Sequence, residues 1–287
     1  MQKIPVRHLK SDLNDPDINS KLNIWSLREL LGGEDMVQEI HRHSFYLMLI
    51  IDKGNGEHII DFTSHPVSDQ NIFIIRPGQV HGLKLHSRSE GYMLQLTDEL
   101  CSHFDETTKH ILKKISRKNF YPTDTATSQK IFSIIRTTIR EIFEKREMYH
   151  YAVLSNLQLL FVELLRQKNK FEGTFDEKVS YHLEKLEQFQ DLITDNIANQ
   201  KQVLWYAGKM NLSTYQLNTI TKITLGKSSA EVINDYILLE TKRYLLATNN
   251  RVNQISWHLG YEDVSYFIRF FKKHTGFSPE AFRNNFK

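Results

Sequence analysis

One cysteine, Cys101, is all the thiol chemistry that this chain of 287 residues carries. A lone cysteine excludes an intramolecular disulfide framework and suits a reducing compartment. CxxC pairs, a phosphate-binding glycine loop and a serine or cysteine nucleophile arrangement are also missing, so common redox, nucleotide-binding and hydrolase signatures find no footing here. Long apolar runs are absent too. The longest, Phe45 to Ile51, ends after seven residues at Asp52, far short of the roughly 20 needed to cross a bilayer. The opening MQKIPVRHLKSDLNDPD lacks an apolar central stretch of the secretory kind, and a cytoplasmic protein with no membrane partner is the expectation. Hydrophobic residues at 40% and charged residues at 25% are ordinary for a globular chain, which argues against disorder. The length predicts two domains, each burying its own core.

Net charge is only +3, but it is unevenly placed. From Lys201 onward 12 basic residues face 6 acidic ones, a balance of +6; the first 200 residues carry 25 against 28, a balance of −3. A basic tail on a mildly acidic body is an electrostatic footprint of nucleic-acid binding, and equally an ordinary solvated face.

Residues of about 20–100 carry strand signals. FYLMLII is followed by DKGNGEH, where Asn55-Gly56 predicts a tight hairpin turn with positive φ, and EHIIDF, NIFIIR and GLKLH continue as short strands. Their spacing of about 8–12 residues fits an antiparallel barrel or sandwich rather than βαβ units. Pro77-Gly78 marks another turn just before His81. The period then changes. Over about 124–169, Ile131, Ile134, Ile135, Ile139, Ile142 and Phe143 recur at helical spacing, as do Val153, Leu157, Leu160, Phe161 and Leu164. These predict two amphipathic helices joined near Arg146–Met148, which either cap the barrel or form a dimer seam. The polar stretch 168–180 reads as an interdomain linker, and from Tyr181 onward every signal is helical.

The last third repeats itself. Leu217, Lys222, Gly226 and Ser228 recur fifty positions later as Phe267, Lys272, Gly276 and Ser278, while Val203 and Ala207 recur forty-nine later as Val252 and Ser256. Each copy, about 203–224 and 252–274, reads as helix, turn, helix, with a small residue where the helices cross. A long helix within AEVINDYILLETKRYLLA joins them. In the second copy Tyr266, Phe267, Phe270 and Phe271 form a docking stripe, with Ser265, Arg269, Lys272 and Lys273 off it. An arginine so placed can grip guanine or phosphate. In the first copy Leu217 and Ile220 face inward; Thr214, Tyr215, Asn218, Thr219 and Lys222 face outward, with Asn218 as a candidate adenine reader. Two such helices about 34 Å apart would meet successive major-groove segments.

These residues resemble the paired helix-turn-helix domain of AraC/XylS-type transcription regulators over 181–287. Ile255, Leu259, Gly260, Tyr261, Ser265, Tyr266, Phe267, Arg269, Phe271, Lys272, Gly276, Ser278, Pro279, Phe282 and Arg283 match that family's signature. The resemblance implies that helices 213–224 and 263–274 enter the groove, with Asp263 and Val264 added to the contact set and Arg269 its principal member. The chain departs from the pattern at Thr219, where arginine is common, at Thr221, where an aromatic is usual, and at Thr241, commonly alanine. The first copy is left with Tyr215, Asn218 and Lys222 for reading.

HRHSFYLMLIIDKGNG and NIFIIRPGQVHGL resemble the sensor motifs of family members with a cupin-like barrel. The implied organisation is a sensor and dimerisation domain over 1–170, a linker at 171–180 and a DNA-binding domain over 181–287. The implied partners are a double-stranded DNA operator, a small-molecule effector, RNA polymerase and a second copy of the chain, in a nucleoid-associated activator. His41, His43 and His81 could line the effector pocket; as three imidazoles they also suit a transition metal. The metal-binding cupin pattern, however, wants a glutamate where Leu47 and Met48 stand, so the expectation is no metal, no cofactor and no enzyme. Two other readings remain open. One is a cupin enzyme with an accessory DNA domain; the other is a nonspecific DNA binder, which the modest +6 disfavours.

Overall fold

The structure is a computed structural model describing residues 6–7, 21–172 and 177–286. It divides into two compact units, Pro5–Thr174 and Phe175–Lys287.

In the N-terminal unit, β1 (Val6–Arg7) and β2 (Leu22–Ser26) precede α1 (Leu27–Leu31). There follow β3 (Met36–His43), β4 (Phe45–Lys53), β5 (Gly56–Ile60), β6 (Thr63–Val67), β7 (Asn71–Ile75), β8 (Val80–Leu85) and β9 (Glu90–Thr97). Then come α2 (Asp98–Ser102), α3 (Glu106–Ser116), β10 (Phe120–Pro122), α4 (Thr125–Glu144) and α5 (Tyr149–Glu172). The strands make two five-stranded sheets, β1-β3-β8-β5-β6 and β10-β7-β4-β9-β2. All pairings are antiparallel except β1 with β3.

The run FYLMLII becomes β4 because both of its faces are buried, which favours a continuous apolar strand over an alternating one. Its odd positions Phe45, Leu47, Leu49 and Ile51 join Ile60, Phe73, Leu83 and Leu85 between the sheets. Its even positions Met48 and Ile50 join Ile72, Ile74, Leu94 and Leu96 under the helices. There Ile131, Ile134 and Ile135 of α4 and Val153, Leu157, Leu160, Phe161 and Leu164 of α5 complete the second layer. The two helices therefore cover the sheet. Phe143, expected in the same stripe, is instead 87% exposed at the end of α4.

Three local expectations change. Asn55-Gly56 makes no hairpin: β4 and β5 belong to different sheets, and the chain crosses between them there. Gly56 starts β5, and a Cβ on it would lie 2.0 Å from Lys84 O. Close backbone approach, not positive φ, is what its missing side chain serves. The two-residue hairpin lies between β5 and β6, where Asp61 and Phe62 take φ 45° and 69°, as a type I′ turn requires. Second, polarity overstated the linker. α5 continues through Glu172 and α6 begins at Glu177, and residues 173–176 lie outside the described ones. Third, Arg42, whose place between His41 and His43 on a strand predicts an exposed side chain on the opposite face, is half-buried. The Pro77-Gly78 turn stands, with Gly78 at φ 81° and its N–H on His43 O at 2.9 Å.

The C-terminal unit is helical among its described residues. It comprises α6 (Glu177–Asn196), α7 (Val203–Lys209), α8 (Thr214–Leu225), α9 (Ser229–Ala247), α10 (Val252–His258), α11 (Val264–Thr275) and α12 (Pro279–Phe286). One apolar cluster runs through it: Phe189 and Ile193 of α6, Leu217 of α8, Ile233, Ile237 and Leu245 of α9, Ile255 of α10, and Phe267 and Phe271 of α11.

Candidate nucleic-acid interface and histidine cluster

The two copies are built by matching bonds. Leu212 N–H donates to Ala207 O at 2.9 Å, and forty-nine residues later Tyr261 N–H donates to Ser256 O at 2.9 Å. Ala207 and Ser256 are fully buried, so only small side chains let the helices cross there. The turn residue is Asn211 (φ 53°) in the first copy and Gly260 (φ 71°) in the second. A capping box between Ser213 and Gln216 opens α8. At α11 the carboxylate of Asp263 accepts the N–H of Ser265 (2.7 Å) and Tyr266 (3.1 Å). Gly226 and Gly276 close the two helices through N–H donation to Lys222 O and Lys272 O.

Docking follows the expected spacing with one change. Leu217 and Ile220 are buried, as are Phe267 and Phe271, the last packed perpendicular to Phe282 at 5.5 Å. Tyr266 is not part of the stripe. It is 55% exposed, because it sits one helical step off the Phe267–Phe271 row. Arg283, a signature residue, is a brace: its guanidinium donates to Leu245 O (3.0 Å) and Asn250 O (2.5 Å).

The outward set sorts into available and occupied groups. In α11, Ser265, Arg269, Lys272 and Lys273 are exposed and Val264 is half-buried. Asp263, expected as a contact, already caps the helix, and its second oxygen lies 3.8 Å from Arg269 Nη2. In α8, Tyr215 and Lys222 are exposed, while Thr214 and Thr219 are half-buried. Asn218 is the main correction. Its Oδ1 accepts the backbone N–H of Ser229 at 2.9 Å, so the oxygen that a bidentate adenine contact requires is used to start α9. Thr221 fills the aromatic's usual place as a buried hydroxyl, 3.2 Å from Ser229 Oγ. Thr241, likewise buried, donates to Ile237 O at 2.7 Å.

In the N-terminal unit β3 and β8 bring the expected histidines together. His41 and His81 rings are 4.3 Å apart, and His43 and His81 4.9 Å. His41 Nδ1–H donates to Glu39 O (2.8 Å) and His43 Nδ1–H to Phe45 O (2.7 Å), which fixes both rings. A fourth member, His58 on β5, lies outside the set that the sequence points to; its Nε2 lies 3.0 Å from His81 Nδ1. The signal was present in its alternation with Ile60, which places both toward the other sheet. Burial, then the nearby His65, His41 and His43, pushes His58 down to about 3, so it is neutral at neutral pH. Among the described residues no group of three or more His, Cys, Asp or Glu is arranged to hold a metal ion. No described helix is long and apolar enough to cross a membrane. Burial, with Asp98 second, pushes the Cys101 thiol up to about 12, so it is a packing group rather than a nucleophile.

Known proteins match along both units. Residues 33–138 match the family model described as an AraC-like ligand binding domain, and residues 206–285 the one described as a helix-turn-helix domain. An uncharacterized HTH-type transcriptional regulator, YfiF of Bacillus subtilis, is 21% identical over 254 residues, covering 86% of this chain and 79% of its own. The HTH-type transcriptional activator RhaS of Salmonella arizonae is 21% identical over 259 residues, covering 85% and 86%. Among solved structures, ToxT of Vibrio cholerae bound to an unsaturated fatty acid is 15% identical, with a TM-score of 0.42 over 91% of this chain and 94% of its own. The two family models together span more than half of the chain, one on each unit, and with them this chain belongs to the AraC family of helix-turn-helix DNA-binding transcription regulators with a ligand-binding domain.

Proposed function

We propose that this regulator is a ligand-responsive transcription activator that reads its operator with α8 and α11 in successive major-groove segments. The contact set is Thr214, Tyr215, Thr219 and Lys222 from the first copy and Val264, Ser265, Arg269, Lys272 and Lys273 from the second. Asp263 orients Arg269 and caps its helix. Arg269 supplies the guanine or phosphate grip, the lysines the phosphate contacts. The observation that carries this reading is the recurrence, fifty residues apart, of two capped helices with buried apolar rows and exposed polar faces.

A small effector is received near His41, His43 and His81, with His58 beside them. It acts by binding one domain arrangement better than another, since a ligand without differential affinity shifts nothing. The chain works as a homodimer whose seam is the outward side of the helices of 124–169, where Phe143, Tyr151 and Leu159 stay exposed after the inner rows cover the sheet, and it engages RNA polymerase as an activator does; RhaS, a relative, carries the activator name. It performs no catalysis and uses no cofactor. Selection of duplexes from a random library should enrich one site, bound in preference to scrambled competitor with or without cell extract as effector source. Absence of any preference overturns the reading. Residues 171–287 alone should bind the selected site more weakly than the full chain; equal affinity removes the dimer from the proposal.

A further inference from the structure

The two reading helices offer chemically different faces. Positions 215, 219 and 223 lie one helical turn apart along one side of α8, and their counterparts fifty residues on are 265, 269 and 273. In α11 that row is Ser265, Arg269 and Lys273; in α8 it is Tyr215, Thr219 and Ile223. Tyr215 is 80% exposed and Ile223 57% exposed, so this row of α8 presents apolar surface where the matching row of α11 presents charge. The side-chain oxygens beside them are already engaged. Gln216 Oε1 accepts from the N–H and the hydroxyl of Ser213 at 2.8 and 3.0 Å. Asn218 Oδ1 accepts from Ser229 N–H. The Thr219 hydroxyl donates to Tyr215 O at 2.9 Å. Along this row α8 shows a base edge the Tyr215 ring with its hydroxyl, the Thr219 methyl and the Ile223 side chain, with Lys222 beside them.

The only apolar feature that B-DNA presents in its major groove is the C5-methyl of thymine. Resting on the proposed insertion of α8, we infer that Tyr215, Thr219 and Ile223 recognise a thymine-rich operator segment through those methyl groups, while α11 reads its own segment with cationic side chains. Specificity is thereby divided between the copies, one reading methyl groups and the other guanine and phosphate.

Thymine-to-uracil replacement removes the methyl and keeps every hydrogen-bonding group, so it isolates this contact. Each thymine of the selected duplex is replaced in turn and affinity measured for the full-length protein and for Tyr215→Ser/Ile223→Ala. These side chains are exposed, so the variant should fold, and its retained response to base changes elsewhere in the site checks that it does. Wild type should lose about fourfold per critical thymine, the effect of one buried methyl, at adjacent positions within one segment. The double variant should bind more weakly and show no thymine-uracil difference there. Specific binding that ignores uracil throughout overturns the inference and leaves the proposed function standing. So does uracil sensitivity that persists in the variant, or a variant with undiminished affinity, which would give this apolar face to a protein partner. Binding without any sequence preference overturns both.

Discussion

Replacing Gly260 with alanine puts a methyl group where the backbone leaves no room. The new Cβ would lie 1.6 Å from Ala198 O and 2.8 Å from Lys201 Nζ, against a floor of 3.0 Å for real Cβ contacts. Three costs follow. Holding alanine at φ 71° costs about 1–2 kcal/mol. Driving the Ala198 carbonyl aside costs a further ~1–3 kcal/mol, the usual range for overpacking. Lys201 donates to Gly260 O at 2.8 Å and Ile197 O at 3.2 Å; disturbing that partly solvated bracket adds about 1 kcal/mol. The total of roughly 3–6 kcal/mol approaches the 5–15 kcal/mol that holds a whole domain together. Asn211→Ala at the matching turn is the control. Asn211 has φ 53° and already carries a Cβ, so only the backbone preference changes, at about 1 kcal/mol. Native-state hydrogen exchange of α10 and α11 amides reads local stability without assuming that both units unfold together. If Gly260→Ala costs no more than Asn211→Ala, the steric argument is wrong.

Three further outcomes are expected. Arg269→Ala should lose about 1–3 kcal/mol of operator affinity and relax preference at one base pair; an equal loss on all sequences in competition assays would mean a phosphate contact only. Phe271→Ala should destabilise the C-terminal unit by about 3–5 kcal/mol and abolish DNA binding, checked by circular dichroism alongside gel shift. His58 gives a pH dependence of definite sign. Its folded value of about 3 lies below the ordinary 6.5, so between these values the unfolded chain binds the extra proton. Stability of the N-terminal unit is therefore full above pH 6.5 and falls as pH drops, by up to about 1.4 kcal/mol per pH unit. His58→Gln should flatten that slope in urea titrations at pH 4–7; an unchanged slope would assign it elsewhere.

Much of the fold was legible because it rests on short-range periodicity. The Ile131–Ile135 and Val153–Leu164 rows needed only helical spacing to show which faces are buried, and the fifty-residue repeat gave away both helix-turn-helix copies. What failed depends on contacts distant in sequence. Asn55-Gly56 has the composition of a hairpin, yet the strands it separates pair with other strands, and pairing is not written locally. Alternation with Ile60 turns His58 toward the other sheet, but its meeting with His81, twenty-three residues away, depends on the β5–β8 pairing, which local sequence does not specify. Helical spacing puts Asn218 on the outward side of α8, whereas its amide oxygen holds the first turn of α9, eleven residues on. Residues 168–172 and 177–180 read as a spacer although they belong to α5 and α6, because polarity does not distinguish a solvated helix from a loop.

The apolar cluster that passes from Leu217 through Ile233, Ile237 and Leu245 to Phe267 and Phe271 has a consequence for the genome rather than the protein. On the proposed reading by α8 and α11, two heads sharing a single interior cannot swivel independently, so the separation of their targets is dictated by the polypeptide. A single inserted base pair between the two segments rotates one target by about a tenth of a turn, and half a turn of insertion presents the wrong side of the duplex altogether. Promoters under this regulator should therefore tolerate changes of letter within each segment far better than changes of distance between them.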